Sequence, residues 1–472
     1  MKHLAYIFSL CSLLLVPCSW LRAQDLQRFA ERQIVGTARY VGMGGAMTAV
    51  GGDPSAVVDN PAGLGLYRRS EVMLSIDETF DKTARDAASL LSANALVRFT
   101  LPHVSLIWAW GNPSKQRGMI YNNFMFSYNR LADYNRDIHT TGSKLGMAET
   151  IAYLTNGLYE EDFAEDPWNN INIGWLSILG YDGYLIDPDK NDQWVPAVNL
   201  GKGTLDIAEV GTADQYTVAW ASNISNQWYV GVNLNVPTLT YTKRTSHYET
   251  DRFNDAELKS MYHASGVGIG GSVGVIYRPL QALRVGASLQ TPTVMNLSVQ
   301  TEGDLYSTIN GNKYEVLTPA SGTLSMDMVS PLRTSVSVAG QWGENGMLAV
   351  QYDYAHAADM EDVHTLRIGL EAQACRGLFL NAGYVYESSF MQEDPVVGLD
   401  VTSIRTDMDY RYTGMSQYAS AGVGYRSDVV VAQVAYQYRW QKIHQYASEA
   451  QLVPMDVHTQ THRIVASLAW RF

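Results

Sequence analysis

Arg463-Ile464-Val465-Ala466-Ser467-Leu468-Ala469-Trp470-Arg471-Phe472 ends the chain, and its two alternating sets of side chains decide the fold. Ile464, Ala466, Leu468, Trp470 and Phe472 fall on one face, while Arg463, Ser467 and Arg471 fall on the other. That is the period of two that a β-strand imposes. Such a strand suits a sandwich sheet, or a barrel wall with lipid on one side and a polar lumen on the other. The pattern recurs upstream. Val430, Ala432, Val434, Tyr436, Tyr438 and Trp440 alternate with Val431, Gln433, Ala435, Gln437 and Arg439, while Leu366, Ile368 and Leu370 oppose Arg367 and Glu371. Leu378, Leu380, Ala382, Tyr384 and Tyr386 face away from Asn381, Gly383 and Glu387.

Candidate strands lie near 71–80, 99–110, 119–130, 213–222, 227–241, 263–278, 282–299, 321–342, 346–357, 362–374, 378–388, 415–427, 429–443 and 456–472. The links after every second strand are short and carry turn residues such as Gly111-Asn112-Pro113, Arg278-Pro279, Arg376-Gly377 and Ser427-Asp428. The other links are long, apart from a brief one near Ala355 to Glu361, and the largest, roughly Leu131 to Thr212, holds Trp168, Trp175 and Trp194. Short turns at one end and long loops at the other characterise an outer-membrane barrel, and an even strand count leaves both termini in the periplasm. Trp470 and terminal Phe472 resemble the signal that the barrel-assembly machinery reads.

The first residues agree with that compartment. Lys2, the apolar run Leu4 to Val16 and Ala23 before Gln24 read as a secretory leader, 1–23. Pro17 before Cys18 argues against a lipoprotein signal, and removal of the leader leaves Cys375 alone, so no internal disulfide is expected. Losing Lys2 and Arg22 takes the formal net charge from −13 to −15, which disfavours nucleic acid as a partner. A chain of 472 residues would ordinarily divide into soluble domains, but 29 Tyr, 39 Gly and only 17% charged residues favour a barrel in lipid. No apolar run after the leader reaches the ~20 residues of a membrane helix.

Between leader and first strand stands a block of another kind: Gly36-Thr37-Ala38-Arg39-Tyr40-Val41-Gly42-Met43-Gly44-Gly45-Ala46, then Asp53, then Asn60-Pro61-Ala62-Gly63-Leu64. Its small residues permit tight turns and close backbone approach, as a plug in a narrow lumen requires. This block resembles the N-terminal region of the long-chain fatty-acid and aromatic-hydrocarbon transporter family of outer-membrane proteins (FadL-like). The match rests on Arg39 to Ala46, Asp53 and Asn60-Pro61-Ala62, about thirty residues, with the fourteen strands and Phe472 supplying architecture. The resemblance implies a hatch over 24–69 filling the lumen of a barrel over 70–472. It also implies an apolar ligand pocket, a lateral opening in the wall, and passive carriage of a hydrophobic small molecule across the outer membrane. Barrels resembling this family also serve as docking or assembly components of protein secretion, which is the alternative. Outer-membrane lipid is the surrounding partner in either case.

Candidate hatch and gating residues are therefore Arg39, Gly42, Gly44, Gly45, Asp53, Asn60, Pro61 and Ala62. Arg39 and Asp53 either pair with each other or meet a carboxylate cargo; the pair is favoured, because a buried charge without a partner is costly. Asn60-Pro61-Ala62 reads first as a turn. Gly42, Gly44 and Gly45 lack the Gly-Lys-Ser/Thr of a phosphate loop. His458 and His462 share a strand face without a third ligand, so no metal site is assigned. No catalytic constellation with a recognisable local motif appears, and neither enzymatic activity nor a cofactor is expected.

Overall fold

The computed structural model describes residues 28–84 and 95–472, except 113, 116, 165, 320–321, 344, 358–360, 390–402 and 452–453. The expected leader lies outside the described residues. Fourteen antiparallel strands form a closed barrel. They are β1 Glu71–Ala84, β2 Ala95–Gly111, β3 Met119–Asp133 with its continuation Arg136–Ser143, β4 Lys202–Ile224, β5 Trp228–Thr250 and β6 Asp255–Leu280. β7 comprises Leu283–Gln290 and Val294–Ile309, and β8 comprises Asn312–Leu317, Gly322–Val329 and Leu332–Trp342. β9 Gly346–His356, β10 Val363–Cys375, β11 Leu378–Glu387, β12 Tyr410–Arg426, β13 Val430–Tyr446 and β14 Met455–Arg471 complete the wall.

Closure comes from β14 pairing with β1, running from Glu71 opposite Arg471 to Ala84 opposite His458. A wall in lipid must satisfy every backbone N–H and C=O internally, and closure alone removes both edges. The registers also carry one apolar row around the outside. Leu380 opposes Val423, Val423 opposes Val434, Val434 opposes Ala466 and Ala466 opposes Ile76. Leu380, Val423, Val434 and Ile76 are all exposed, whereas Asn381, Gln433, Ser467 and Asp77 beside them are buried. The expected alternation is therefore the real one, apolar outward and polar inward.

The sequence reading placed several strand ends too early. Residues 242–262 and 300–320 were expected as loops, yet β5 and β6 extend to a turn at 251–254, and β7 meets β8 at Asn310-Gly311, both with positive φ. The cause is a reversal of the pattern above the lipid. There Leu258, Leu305 and Ile309 point inward and are buried, while Lys259, Asp304 and Glu302 face out. The inward apolar groups meet the segment 144–201, which is what remains of the expected loop Leu131 to Thr212. Its helices Met147–Thr155 and Trp175–Asp182 bury Ile151, Leu176 and Leu179 against Leu258 and Leu305, with Trp194 in the same cluster. This cap closes the long-loop end of the barrel.

Val434 lies midway up the apolar row, so Val434→Arg is expected to cost about 2–4 kcal/mol. Denaturant unfolding of the bilayer-reconstituted protein measures it, and an unchanged midpoint would contradict the assigned lipid face.

Candidate functional site

Residues 28–67 lie inside the barrel, almost all of them buried. Thr37 caps the short helix Ala38–Gly42 by accepting from the Tyr40 N–H at 3.2 Å. The helix then turns back through Gly44 and Gly45, whose φ values of +60° and +69° suit residues without a β-carbon. This turn touches the wall so closely that a β-carbon on Gly383 of β11 would stand 2.2 Å from the Gly44 nitrogen. Further on, Asn60 holds the turn into the 3-10 helix Pro61–Leu66: its Oδ1 accepts from the Ala62 N–H at 3.0 Å, and its amide donates to the Thr48 carbonyl at 2.8 Å. Pro61 takes the first helical position, where its missing N–H costs nothing. Gly231 of β5 faces the Pro61-Ala62 peptide, and a β-carbon there would meet the Ala62 nitrogen at 2.7 Å.

The expected pairing of Arg39 with Asp53 is not the one found. Arg39 grips Glu371 of β10 with both ends of its guanidinium, Nε to Oε2 at 2.7 Å and Nη2 to Oε1 at 3.1 Å. Its Nη1 donates to the Gly51 and Gly52 carbonyls. Asp53 instead accepts from the Thr37 hydroxyl at 2.8 Å and from the Ser55 N–H at 3.0 Å, fastening the start of the helix. The planar fork of Arg39 matches the carboxylate across the lumen, while Asp53 is satisfied by neutral donors close in sequence.

Other inward side chains complete the seat. Gln351 accepts from the Thr48 N–H at 2.9 Å, Ser467 from the Ala38 N–H at 2.8 Å, and the Asn123 amide donates to the Leu64 carbonyl at 2.7 Å. The sequence reading did not name these residues as site residues, nor Glu371. Their signal was present, since each is a polar residue on the inward face of an alternating strand.

Above this seat the lumen holds further ion pairs: Arg411 with Glu209 at 2.7 Å and Lys243 with Asp409 at 3.0 Å, Arg463 of β14 with Asp77 of the neighbouring β1 at 3.1 Å, and Arg439 of the wall with Glu31 of the N-terminal segment. Beside them lies an apolar cleft. Phe29 packs edge-on against Tyr241 and Tyr134, its ring centre 5.3 and 5.9 Å from theirs. The cleft is lined by Phe29, Leu131, Leu239, Met295 and Met328, with Arg32 and Arg333 at its polar end, and leaves only about 40 Å³ of room. Its remaining wall includes Thr293 and Ser330, and there the sheet is interrupted. Pairing of β7 with β6 stops at Gln290 opposite Ser272 and resumes at Val294 opposite Ile269. Pairing of β7 with β8 stops at Gln290 opposite Arg333 and resumes at Val294 opposite Val329. Pro292 and Pro331, which have no N–H to give, sit in this gap. Thr291 and Ser330 bridge it with single backbone bonds to the Gly271 and Thr293 carbonyls, each 2.9 Å.

No family model and no curated protein sequence matches the chain. Solved structures do. A Pseudomonas aeruginosa FadL homologue superimposes with a TM-score of 0.57 at 10% identity, covering 93% of this chain and 99% of that one. The monoaromatic hydrocarbon channel CymD gives 0.54 at 12% identity, covering 94% and 99%. The Ralstonia pickettii toluene transporter TbuX gives 0.53 at 13% identity, covering 93% and 99%. The chain has their fold. At these identities the likeness extends to architecture over nearly the whole length, and the FadL-like expectation of the sequence is met at that level. His458 and His462 belong to β14 and stand on its outward face, away from the lumen.

Glu371→Ala should leave Arg39 buried without its carboxylate and cost about 3–5 kcal/mol. The double variant Arg39→Ala/Glu371→Ala should be less destabilised than the sum of the two single variants by about 0.5–3 kcal/mol in denaturant unfolding. Strict additivity would show that the pair is not coupled.

Proposed function

We propose that this chain is an outer-membrane channel for the passive uptake of hydrophobic small molecules, long-chain fatty acids among them, with its short turns and both termini in the periplasm. The observation that carries the reading is the coincidence of the apolar cleft with the interrupted wall of β6, β7 and β8. An apolar cargo moving down the axis would have to displace buried ion pairs such as Arg39 with Glu371, whose separation costs several kcal/mol each. A cargo that enters the cleft meets Leu239, Met295 and Met328 on one side and the gap at 291–293 on the other. Leaving through that gap takes it from apolar side chains to lipid without crossing the charged axis. The monoaromatic hydrocarbon channel CymD and the toluene transporter TbuX share the fold and lend the substrate class support.

A ligand pocket typically spans about 300–1,000 Å³. The cleft therefore accepts cargo only if the residues filling it withdraw, and Phe29, in the N-terminal segment, is the largest of these. On this reading residues 24–69 are a hatch that gates as well as plugs. Phe29→Ala is expected to raise uptake of a labelled fatty acid into cells or proteoliposomes. A second variant pins the segment: a β-carbon on Gly42 would lie 3.5 Å from that of Ala435, within disulfide range. With Gly42→Cys/Ala435→Cys in a Cys375→Ala background, uptake should fall on oxidation and recover on reduction. Unchanged uptake with the crosslink complete would make the segment a static plug.

A further inference from the structure

Lys243 of β5 points into the lumen, and its side chain is only 1% exposed. A lysine is almost never buried that deeply without charged partners. Its partners come from outside the wall: Asp407 stands 2.5 Å from its Nζ and Asp409 3.0 Å. Both belong to residues 403–409, which lead into β12 and form no strand themselves. β12 lies seven strands from β5 in a barrel of fourteen, so this segment reaches across the full width of the lumen.

Along its course the segment is tied to the strands that enclose the cleft. The Thr301 hydroxyl of β7 donates to the Ile404 carbonyl at 3.0 Å, and the Thr406 hydroxyl donates to the Glu302 carbonyl of β7 at 2.8 Å. The Arg405 guanidinium lies 4.4 Å from the ring centre of Tyr262 on β6 and pairs with Asp407 at 2.6 Å. Its other side meets the cap, where the Trp175 N–H donates to the Ser403 carbonyl at 3.0 Å. The buried apolar residues here fall into two separate clusters. Met408 joins Leu176 and Leu179 of the cap, whereas Tyr262 joins Phe29, Tyr241 and Met295 of the cleft.

We propose that residues 403–409 are a strap that shuts the cleft off from the long-loop end and lifts to admit cargo, a role that rests on the cleft being the cargo's seat. An apolar molecule passing from the cap to Met295 meets Arg405, Asp407, Asp409 and Lys243, a charged layer between the two clusters. An ionic fastening suits a part that must open. Separated charges regain water, which offsets most of the attraction lost, whereas a strap held by apolar side chains would expose them to water each time it lifted. The wall itself does not depend on the fastening, since β5 is held on both sides by its own ladders to β4 and β6.

The test reads the seal separately from transport. The full protein carrying Met295→Cys in a Cys375→Ala background is reconstituted in vesicles and treated with a sulfonated maleimide, which does not partition into lipid. Lys243→Met/Asp409→Asn unfastens the strap and leaves Asp407 to Arg405, so no buried carboxylate loses its only cation. Labelling at Met295→Cys should then rise about tenfold or more. Thr406→Val, which removes one hydrogen bond and no charge, should raise it about fivefold. Labelling at Ala221→Cys, a site buried beside Leu64 of the hatch, should change in neither variant. Uptake of a labelled fatty acid should rise with the labelling at Met295→Cys. A heat-modifiable band on unheated gels confirms that each variant is folded. Unchanged labelling at Met295→Cys in the folded variants, or an equal rise at Ala221→Cys, would overturn the proposal. Faster labelling at Met295→Cys alone, with no fatty-acid uptake, would support the strap and count against the cargo reading on which it rests.

Discussion

In hydrocarbon an unpaired backbone amide or carbonyl has no water to turn to, and each one costs several kcal/mol. The pairing of β14 with β1 removes the two edges at which such groups would accumulate, and everything else in the structure is arranged around that closed ladder. Once the wall is closed, its outward face must be apolar and its inward face is left for polar residues. The row from Leu380 through Val423 and Val434 to Ile76 is the first consequence, and the buried Asn381, Gln433 and Ser467 are the second. The same rule explains where irregular backbone is tolerated. Residues 36–66 leave carbonyls and N–H groups unpaired by any ladder, and the inward Gln351, Ser467 and Asn123 supply the partners.

The interruption in β6, β7 and β8 is the place where this rule is relaxed. Pro292 and Pro331 remove two donors, and the bonds to Gly271 and Thr293 hold the strands together across the gap with fewer links than elsewhere. A wall weakened beside an apolar cleft differs physically from a wall weakened beside an ion pair. In the first case Leu239, Met295 and Met328 lie inside and lipid outside, with the uncharged Thr293 and Ser330 between them, and an apolar molecule passes without separating an ion pair. Phe29 already occupies the cleft with the kind of surface that a hydrophobic cargo would present.

Much of this was legible in the sequence because period-two alternation is local. Ile464 to Phe472 can be read as a lipid-facing strand without knowledge of any partner, and so can Val430 to Trp440. The glycine block declared itself through composition. What the sequence withheld depends on non-local pairing. Alternation shows that Glu371 points inward, but not that Arg39 is the residue across the lumen, and so Asp53, near in sequence, looked the better partner. The upper parts of β5 to β8 were read as loops because their outward faces are polar. A search for apolar residues facing lipid does not recognise Leu258 or Leu305, which face the cap instead. The break at 291–293 lay inside a segment taken as one strand, although Pro292 and Pro331 were visible signals of it.

The central claim is that apolar cargo lodges in the cleft beside the strand break and not on the charged axis. Anomalous diffraction from crystals soaked with a fatty acid brominated at its terminal carbon locates the cargo directly. The account predicts a bromine peak among Leu239, Met295 and Met328, close to 291–293, with the Phe29 ring displaced. A peak on the barrel axis between Arg39 and the cap, with Phe29 in place, would contradict it.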